Sequence, residues 1–448
     1  MGDSSADILT ITPSMLDWLG EYELEDLFDY FDPDGVFVVQ DADGRLSYQE
    51  VQELVGDRIC FYPEKEQKRI RHIPINGIDF AVIDGVENVD VAEQVEQRFV
   101  SDEEDYAYLI TTDIDVKIDT SELSASLENQ EEYRTHTGKT KRPYVYMSGA
   151  LPSHYRQNWG DMIVQGARPK EVRGGLLLPR FTCYADGRIN IKNLRSTNLG
   201  LRAIRDVGRK TAEKLVDHGY QTRSDVSRAT RSDLREIYGI GEKKGNSIWY
   251  HSRALENDTI KRRANNPVPG DQPVFIDIAT DGFTPTVIWY IVAYDSKTNT
   301  YETFLAKNPD AKGDVIRSFI TWYAAGRQSQ TMISWRGWES TYRHLQKFIR
   351  EHASKYETLY ERANKRDLYY WAEELENAVL PGRTEDIVDH ARTLGTEFPE
   401  VGINEQYIMN SYREWMNGGE DEPEWDLIRQ YYKNRIRALI TVYNELSI

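Results

Sequence analysis

Three apolar segments that follow one another after residue 273 constrain the fold more than any other feature of the chain. They read VFIDIATDG, TVIWYIVAYD and YETFLA, and turn-forming residues separate them. A fourth apolar segment, TMISWRGW, precedes the amphipathic segment STYRHLQKFIREH. Successive strands followed by alternating strands and helices are typical of a mixed sheet with helices on its faces. Residues 273–448 are therefore predicted to form a mixed-sheet α/β domain.

Residues 195–264 differ from the rest of the chain in charge. They contain 16 Lys and Arg against 9 Asp and Glu, whereas the whole 448-residue chain has a formal charge of −19. Two similar units lie within them, IRDVGRKTAEKL at 204–215 and IYGIGEKKGNSI at 237–248. Each unit has a turn that ends in a glycine, then basic residues and an apolar helix. The pattern resembles a tandem helix-hairpin-helix, the module by which many DNA repair and recombination proteins grip a duplex.

This resemblance implies that phosphates bind at the hairpin backbone, because glycine permits close approach and a helix N-terminus offers N–H groups to an anion. The residues expected to bind nucleic acid are Gly208, Arg209, Lys210, Gly241, Lys243 and Lys244. Such phosphate contacts carry little sequence information. Asp206 stands where glycine is common and is expected to weaken the phosphate contact of the first hairpin. Gly245 stands where alanine is usual, at a cost in helix propensity only. The alternative interpretation is a purely structural helical bundle or a protein-docking module.

The C-terminal segment resembles the RNase H-like exonucleases of the DEDD type, especially the YprB-like ribonuclease H-like domains. The motifs that carry this resemblance are, in order, VFIDIATDG, ISWRGWESTYRHL, KRDLYYWAEELENAVLPGRTEDIVDHARTLG and IRQYYKNRIRALITVY. The resemblance implies four carboxylates that hold two divalent ions, one of which activates water while the other stabilises the leaving oxygen.

Three of these four ligand positions are lost. Asp277 matches the first carboxylate, but Ala279 replaces the glutamate and Thr341 replaces the second aspartate. In the last helix Tyr431 aligns with the family's tyrosine, and Arg435 takes the place of its aspartate. A guanidinium there is expected to pair with Asp277. The resemblance therefore predicts a nucleic-acid-binding protein with a degenerate exonuclease domain, without metal or cofactor, and leans against an enzyme.

An active nuclease with a relocated carboxylate set is the alternative, and it would need Mg²⁺ or Mn²⁺. Its candidate ligands are Glu339, Asp281 and Asp367, although Asp367 is also placed to cap a helix N-terminus. Glu385, Asp386 and Asp389 are interpreted as an acidic solvated face or a helix start. A structural or assembly scaffold is a further alternative.

Other side chains near the predicted site are Arg336, Trp335 and Trp338. Together with Arg435 they offer charge and stacking to a nucleic-acid strand. For both tryptophans, packing in the core is the favoured interpretation.

Residues 1–194 are predicted to form an α+β region that docks a protein partner. An amphipathic helix is expected at 14–31, hairpins at 36–48 and 181–191, and strand structure at 106–119. The segment from Val39 to Glu50 resembles a calcium loop, but Val39 offers no oxygen ligand, so the hairpin is favoured. The sequence GKT at 138–140 has Tyr133 where a phosphate-binding loop needs glycine, so residues 120–142 are interpreted as an exposed, solvated loop.

Composition bears on the setting of the protein. The chain is acidic, and arginine outnumbers lysine by about two to one, as in proteins adapted to concentrated salt, so a halophilic archaeon or its virus is expected. The sequence has no long apolar run, which predicts a cytoplasmic protein without a membrane partner. Cys60 and Cys183 are expected to be buried, inert thiols. The prediction is an α+β multidomain chain with DNA favoured over RNA as its ligand and boundaries at 1–194, 195–264 and 273–448.

Overall fold

The computed structural model describes residues 5–13, 15, 19–39, 55–56, 58–61, 70–83, 107–111, 116–119, 124–127, 144–159, 162–282, 284–307, 311, 313–399, 401–418 and 422–448. The chain divides into two compact units, Met1–Gly200 and Leu201–Ile448. The second unit contains both the basic segment and the C-terminal sheet. The division into three segments at 194 and 264 stays a prediction.

The first unit consists mainly of strands. Its described elements are β1 (Ser5–Ile11), α1 (Glu21–Phe31), β2 (Gly35–Val38), β3 (Ile59–Phe61), β4 (Ile70–Ile75), β5 (Ile78–Ile83), β6 (Ala107–Thr111), β7 (Val116–Asp119), β8 (Ser124–Leu127), β9 (Tyr144–Pro152), β10 (Arg156–Trp159), β11 (Met162–Arg168), β12 (Lys170–Val172), β13 (Gly175–Tyr184) and β14 (Ile189–Arg195). Within the described ranges, one sheet has the order β12-β13-β1-β2-β3, with β14 also paired to β13. A second sheet has the order β10-β11-β9-β6-β5-β4, and β7 pairs with β8.

Several predictions for the first unit can be compared with this architecture. The helix is present over Glu21–Phe31, and β13 and β14 form the antiparallel hairpin expected at 181–191. The hairpin expected at 36–48 is wrong along β2, because parallel strands β1 and β3 occupy both of its edges. The second arm of that hairpin, the calcium-like loop after Val39 and the GKT segment lie outside the described residues.

The two cysteines of the first unit differ in exposure. Cys183 is fully buried, and desolvation raises the pKa of its thiol well above the ordinary value, as an inert thiol requires. Cys60, in β3, is only half-buried, so the expected burial is wrong for this residue.

The second unit begins with a helical module. It comprises α2 (Arg209–Asp217), α3 (Arg223–Arg228), α4 (Arg231–Glu236) and α5 (Glu242–Glu256). Thr222 and Thr230 open α3 and α4 with capping boxes, each completed by an aspartate three residues later. A small apolar core joins both predicted units and includes Ile204, Val207, Leu215, Ile237, Ile240 and Ile248. The two sequence repeats are therefore packed as one tandem module.

The rest of the second unit is an α/β domain. Its elements are β15 (Lys261–Arg262), β16 (Val274–Thr280), β17 (Ile288–Asp295), β18 (Thr300–Leu305), α6 (Asp314–Ala324), β19 (Met332–Ser334), α7 (Thr341–His352), α8 (Glu357–Arg362), β20 (Lys365–Asp367), a π-helical turn (Tyr370–Glu374), β21 (Ala378–Val379), α9 (Ile387–Thr393), α10 (Glu405–Met416) and α11 (Trp425–Ser447).

The main sheet of this domain is mixed, as predicted. In the described chain its order is β18-β17-β16-β19-β20. β16, β17 and β18 are antiparallel neighbours, whereas β16, β19 and β20 run parallel. Helix α6 packs on β17 and β18, and α11 packs on β16 and β17. The carboxyl ends of the three parallel strands meet at one edge, which is where ligands bind in open α/β sheets. The predicted α+β multidomain fold is confirmed.

The helical module and the α/β domain are joined by more than the chain. β15, which follows α5, pairs antiparallel with β21. This short ribbon ties the end of the helical module to a strand more than 110 residues away, since Arg262 lies opposite Ala378.

Candidate functional site

Helix α11 brings Arg435 against Asp277 in the middle of β16. Arg435 Nε donates to Asp277 Oδ2 at 2.6 Å, and Arg435 Nη1 lies 3.8 Å from Asp386 Oδ1. The side chains of Arg435 and Asp277 are 19% and 18% exposed. Charge-assisted hydrogen bonds of this length are strong, particularly away from bulk water. The contact predicted between Arg435 and Asp277 is confirmed.

The electrostatics of this pair favour the charged form of the guanidinium. Burial by itself lowers the pKa of Arg435, but the negative charges of Asp277 above all, and then of Asp386, outweigh it. The pKa of Arg435 consequently stands well above its ordinary value. Burial raises the pKa of the Tyr431 phenol, so Tyr431 is neutral at pH 7 and its ring lies 5.9 Å from the guanidinium carbon.

Ala279 and Thr341 offer no carboxylate beside this pair. Ala279 is 1% exposed and belongs to the apolar core of the domain. Thr341 begins α7 and is 2% exposed, and Ser334 Oγ, at the end of β19, donates to its Oγ1 at 3.2 Å. We call Asp277, Ala279, Thr341 and Arg435 the Asp277 site. It has one carboxylate and one cation, and Asp386 adds a second carboxylate beside Arg435. Two divalent ions need more oxygen ligands than these and no guanidinium among them, so these residues do not fit a two-metal centre.

Each alternative carboxylate already has partners. Asp281 accepts from Thr286 N at 2.8 Å and Thr286 Oγ1 at 2.6 Å. Glu339 pairs with Arg336 Nη2 at 2.8 Å. Asp367 accepts from the backbone N–H groups of Trp338 and Tyr370, both at 3.1 Å, and burial raises its pKa.

The bond from Tyr370 confirms Asp367 as the cap of the helical turn that follows β20. Among the residues that the structure describes, no cluster of three or more His, Cys, Asp or Glu side chains is arranged to hold a metal ion.

The acidic segment at 385–389 starts a helix, as expected, but it is not a solvated face throughout. Asp386 caps α9 by accepting from Val388 N at 2.8 Å. Asp389 is 7% exposed and accepts from Thr384 N at 3.1 Å, and Glu385 pairs with Arg336. The solvated interpretation is therefore wrong for Asp389.

The two tryptophans near β19 have different environments. Trp335 is 8% exposed and its Nε1 donates to Glu385 O at 2.8 Å, so core packing is confirmed for it. Trp338 is 44% exposed, so core packing is wrong for it. Arg336, between them, is bound by Glu339 and Glu385, which leaves less of its charge for a nucleic-acid strand than the sequence suggests.

The two hairpin glycines stand directly before helices α2 and α5. Gly208 and Gly241 are their N-caps and have extended backbones, with φ of −84° and −74°. A Cβ atom at either position would meet no atom within 4 Å. The glycines are therefore not required for a left-handed backbone, and the space before each helix N-terminus is open.

The left-handed positions are Asp206 and Gly239, with φ of 65° and 81°. Aspartate tolerates this conformation better than most residues, so the first hairpin keeps the same turn despite lacking glycine there. Gly245 is buried, and a Cβ atom there would lie 3.2 Å from the Arg235 side chain. Its substitution is thus expected to affect packing as well as helix propensity, a correction to the sequence interpretation.

The four predicted cations are not equivalent. Arg209 and Lys243 have side chains 88% and 87% exposed; Arg209 Nε lies 3.1 Å from Glu213, and Lys243 Nζ lies 3.7 Å from Glu376. Lys210 is also exposed. We call Gly208, Arg209, Lys210, Gly241 and Lys243 the hairpin surface.

Lys244 is bound inside the module instead. It is half-buried, and its Nζ donates to Thr211 Oγ1 of the other hairpin at 2.6 Å. This bond joins α5 to α2, so we expect Lys244 to hold the two hairpins together more than to contact phosphate.

Sequence reasoning missed the contact that anchors the first hairpin to the α/β domain. Arg205 Nη1 pairs with Glu373 Oε2 at 2.5 Å, and the Glu373 side chain is 4% exposed. Arg205 N donates to Nδ1 of the buried His251 at 3.0 Å. Burial lowers the pKa of His251 to about 3, so the imidazole is neutral. Arg205 and Glu373 are 168 residues apart, and no local pattern links them.

Comparisons with known proteins agree with the two parts of the second unit. Residues 274–447 match the family model of the RNase H superfamily. Residues 199–248 match the model of the SAM-like helix-hairpin-helix tandem. No curated protein matches the sequence. Of the helices that the structure describes, none has the length and apolarity to cross a membrane. The chain thus carries an RNase H superfamily domain preceded by a tandem helix-hairpin-helix module.

Proposed function

We propose that the protein binds nucleic acid, DNA in preference to RNA, through the hairpin surface, and that its RNase H-like domain does not cleave. The observation that carries this proposal is the 2.6 Å bond from Arg435 Nε to Asp277 Oδ2. The guanidinium neutralises the remaining carboxylate of the Asp277 site with a cation that belongs to the chain. Mg²⁺ dehydrates reluctantly and requires near-octahedral oxygen ligands, which this site does not supply.

The hairpin surface supports the binding half of the proposal. Two helix N-termini with open space at their glycine N-caps combine backbone N–H groups with exposed cations. Such an arrangement suits phosphates and is insensitive to base sequence. At molar salt the acidic remainder of the chain lowers affinity less than its net charge suggests, because screening shortens the range of electrostatics to about 3 Å. A halophilic host and a role in replication, repair or a mobile element belong to the same proposal.

A paired assay tests both halves at once. Labelled single-stranded, duplex and branched DNA and single-stranded RNA are mixed with the protein in molar and in 0.15 M KCl, with Mg²⁺, Mn²⁺ or chelator. Anisotropy measures binding, and gel electrophoresis measures cleavage. We expect binding that is the same with and without chelator, and no cleavage. Metal-dependent cleavage would instead favour the relocated carboxylate set, and absence of binding to every probe would favour a scaffold.

A restored variant, with Ala279→Glu, Thr341→Asp and Arg435→Asp, provides the matched comparison. Titration calorimetry is expected to show Mn²⁺ binding to this variant and none to the native chain, because only the variant has four carboxylates at the family positions. Mn²⁺ bound at Asp277 of the native chain would contradict the proposal that Arg435 keeps metal ions out of the Asp277 site. The protein partner expected for residues 1–194 stays a prediction.

A further inference from the structure

Tyr238, in the turn of the second hairpin, is the most exposed aromatic side chain among the large hydrophobic residues that the structure describes. It is 90% exposed, whereas Ile237 and Ile240 in the same turn are buried. Lys214 Nζ donates to Tyr238 O at 2.8 Å and lies 5.3 Å from the centre of its ring. The backbone of this turn is therefore tied down while the ring extends into solvent.

The first hairpin shows what the same position does when it has an internal partner. Arg205 stands three residues before Gly208, as Tyr238 stands three residues before Gly241. Arg205 is bound to the buried Glu373 and anchors its hairpin to the α/β domain. Tyr238 has an apolar ring instead of a charge and packs into no core. The two hairpins thus use one position for different purposes.

The surroundings of Tyr238 suit a ligand that is an anionic polymer with aromatic groups. Lys214 lies beside the ring, and Gly241 and Lys243 of the hairpin surface follow within five residues. An exposed ring beside cations and a helix N-terminus can stack on a base while the backbone N–H groups hold the adjoining phosphate.

We propose that Tyr238 stacks on an unstacked nucleobase, so that the second hairpin binds a nucleic acid with a single-stranded or unpaired nucleotide. The inference rests on the proposed nucleic-acid binding by the hairpin surface and adds the class of ligand. Within an intact duplex both faces of each base are covered by neighbouring bases, and the ring has no face to contact. Every unstacked base offers a π-face to the ring, so the contact is independent of sequence.

The test uses the full chain and single-stranded DNA that contains 2-aminopurine, whose fluorescence falls when the base stacks. Relaxed closed-circular DNA, which has no ends, competes as the fully paired ligand. Tyr238→Ala is expected to weaken single-strand binding about tenfold and to abolish the fluorescence change, with affinity for the circle altered less than twofold. Tyr238→Phe is expected to behave as the native chain. Tyr370→Ala, which removes another tyrosine that is 45% exposed, is the matched control.

The outcomes separate this inference from the function on which it rests. If the native chain binds neither ligand, the proposed function fails and the inference fails with it. If the native chain binds DNA but Tyr238→Ala keeps the single-strand affinity and the fluorescence change, only the inference is overturned. An equal loss for both ligands would also overturn it, because it would assign Tyr238 a role at the backbone.

Discussion

The hairpin surface and the surroundings of the Asp277 site both contain basic residues but differ in how much of their charge is available. In the hairpins, Arg209 and Lys243 are 88% and 87% exposed. Near the edge of the main sheet, Arg435 and Arg336 are 19% and 35% exposed, and each has two carboxylates within ion-pair distance. Residue type alone therefore does not show how much charge a basic side chain offers to a ligand; its exposure and its carboxylate partners do.

The largest effect is expected from Arg435→Ala, which would leave Asp277 partly buried without its cation. Removing one partner of a buried pair is strongly destabilising, and with the remaining exposure we expect a loss of about 3 kcal/mol in unfolding free energy. Urea denaturation of the native chain and of the full-length variant measures this loss in unfolding free energy.

The control is Arg429→Ala, which breaks the exposed pair with Asp426 on the same helix. This change is expected to cost less than about 0.5 kcal/mol. Equal stabilities for the two variants would show that the pair at Asp277 contributes no more than a surface contact.

The next effect is expected at the hairpin surface. Combined Arg209→Glu, Lys210→Glu and Lys243→Glu replaces three exposed cations and should weaken DNA binding about 100-fold at low salt, because each cation neutralises a phosphate. The slope of log affinity against log salt should fall by about 3. Anisotropy titrations at several KCl concentrations measure both quantities.

Arg336→Glu is the counterpart near the Asp277 site, and we expect it to change DNA affinity less than threefold because Arg336 is already paired. A larger loss from Arg336→Glu than from the hairpin variant would reverse the comparison between the two regions.

The smallest of the three effects concerns His251, at the junction of the two regions. Burial lowers the pKa of this imidazole from 6.5 to about 3 in the folded chain. As pH falls below 6.5, the unfolded chain therefore binds a proton at His251 that the folded chain does not. The contribution of His251 to the free energy of unfolding is fully present above pH 6.5 and decreases as pH falls towards 3. Between pH 7.5 and 5, His251 should account for a loss of about 2 kcal/mol.

Denaturation of the native chain and of His251→Gln at both pH values tests this. Glutamine keeps an acceptor for Arg205 N but does not titrate, so the variant should lose less stability on acidification. Burial also lowers the pKa of His390. This residue therefore contributes a loss of stability on acidification that the native chain and the variant share. An unchanged pH dependence in the variant would contradict the role assigned to His251.

Local patterns predicted much of the second unit. The strands from Val274 to Leu305, the helix after Ser340 and both hairpins depend on apolar spacing and turn residues within short stretches, and the structure has them. The contact between Arg435 and Asp277 was also predictable, because the family resemblance places both residues at positions that meet at one site.

Contacts between distant segments were not predictable where no family resemblance connected them. Both edges of β2 are taken by strands that pair in parallel, one of them more than 20 residues further along the chain, and a single hairpin signal at 36–48 could not reveal this. The bond from Lys244 to Thr211 and the pair of Arg205 with Glu373 depend on packing between elements. Residue type alone made Lys244 look like a phosphate ligand.

Arg435 also limits how the domain can change over evolutionary time. The single step Arg435→Asp would bring a carboxylate towards Asp277 and Asp386 without any cation, and like charges at short range repel. On the proposal that the Asp277 site is degenerate, changing Ala279 or Thr341 first to an acidic residue would add negative charge beside a single guanidinium. Each single step towards four carboxylates is therefore expected to give a less stable protein. Selection that retains the fold is then expected to retain Arg435.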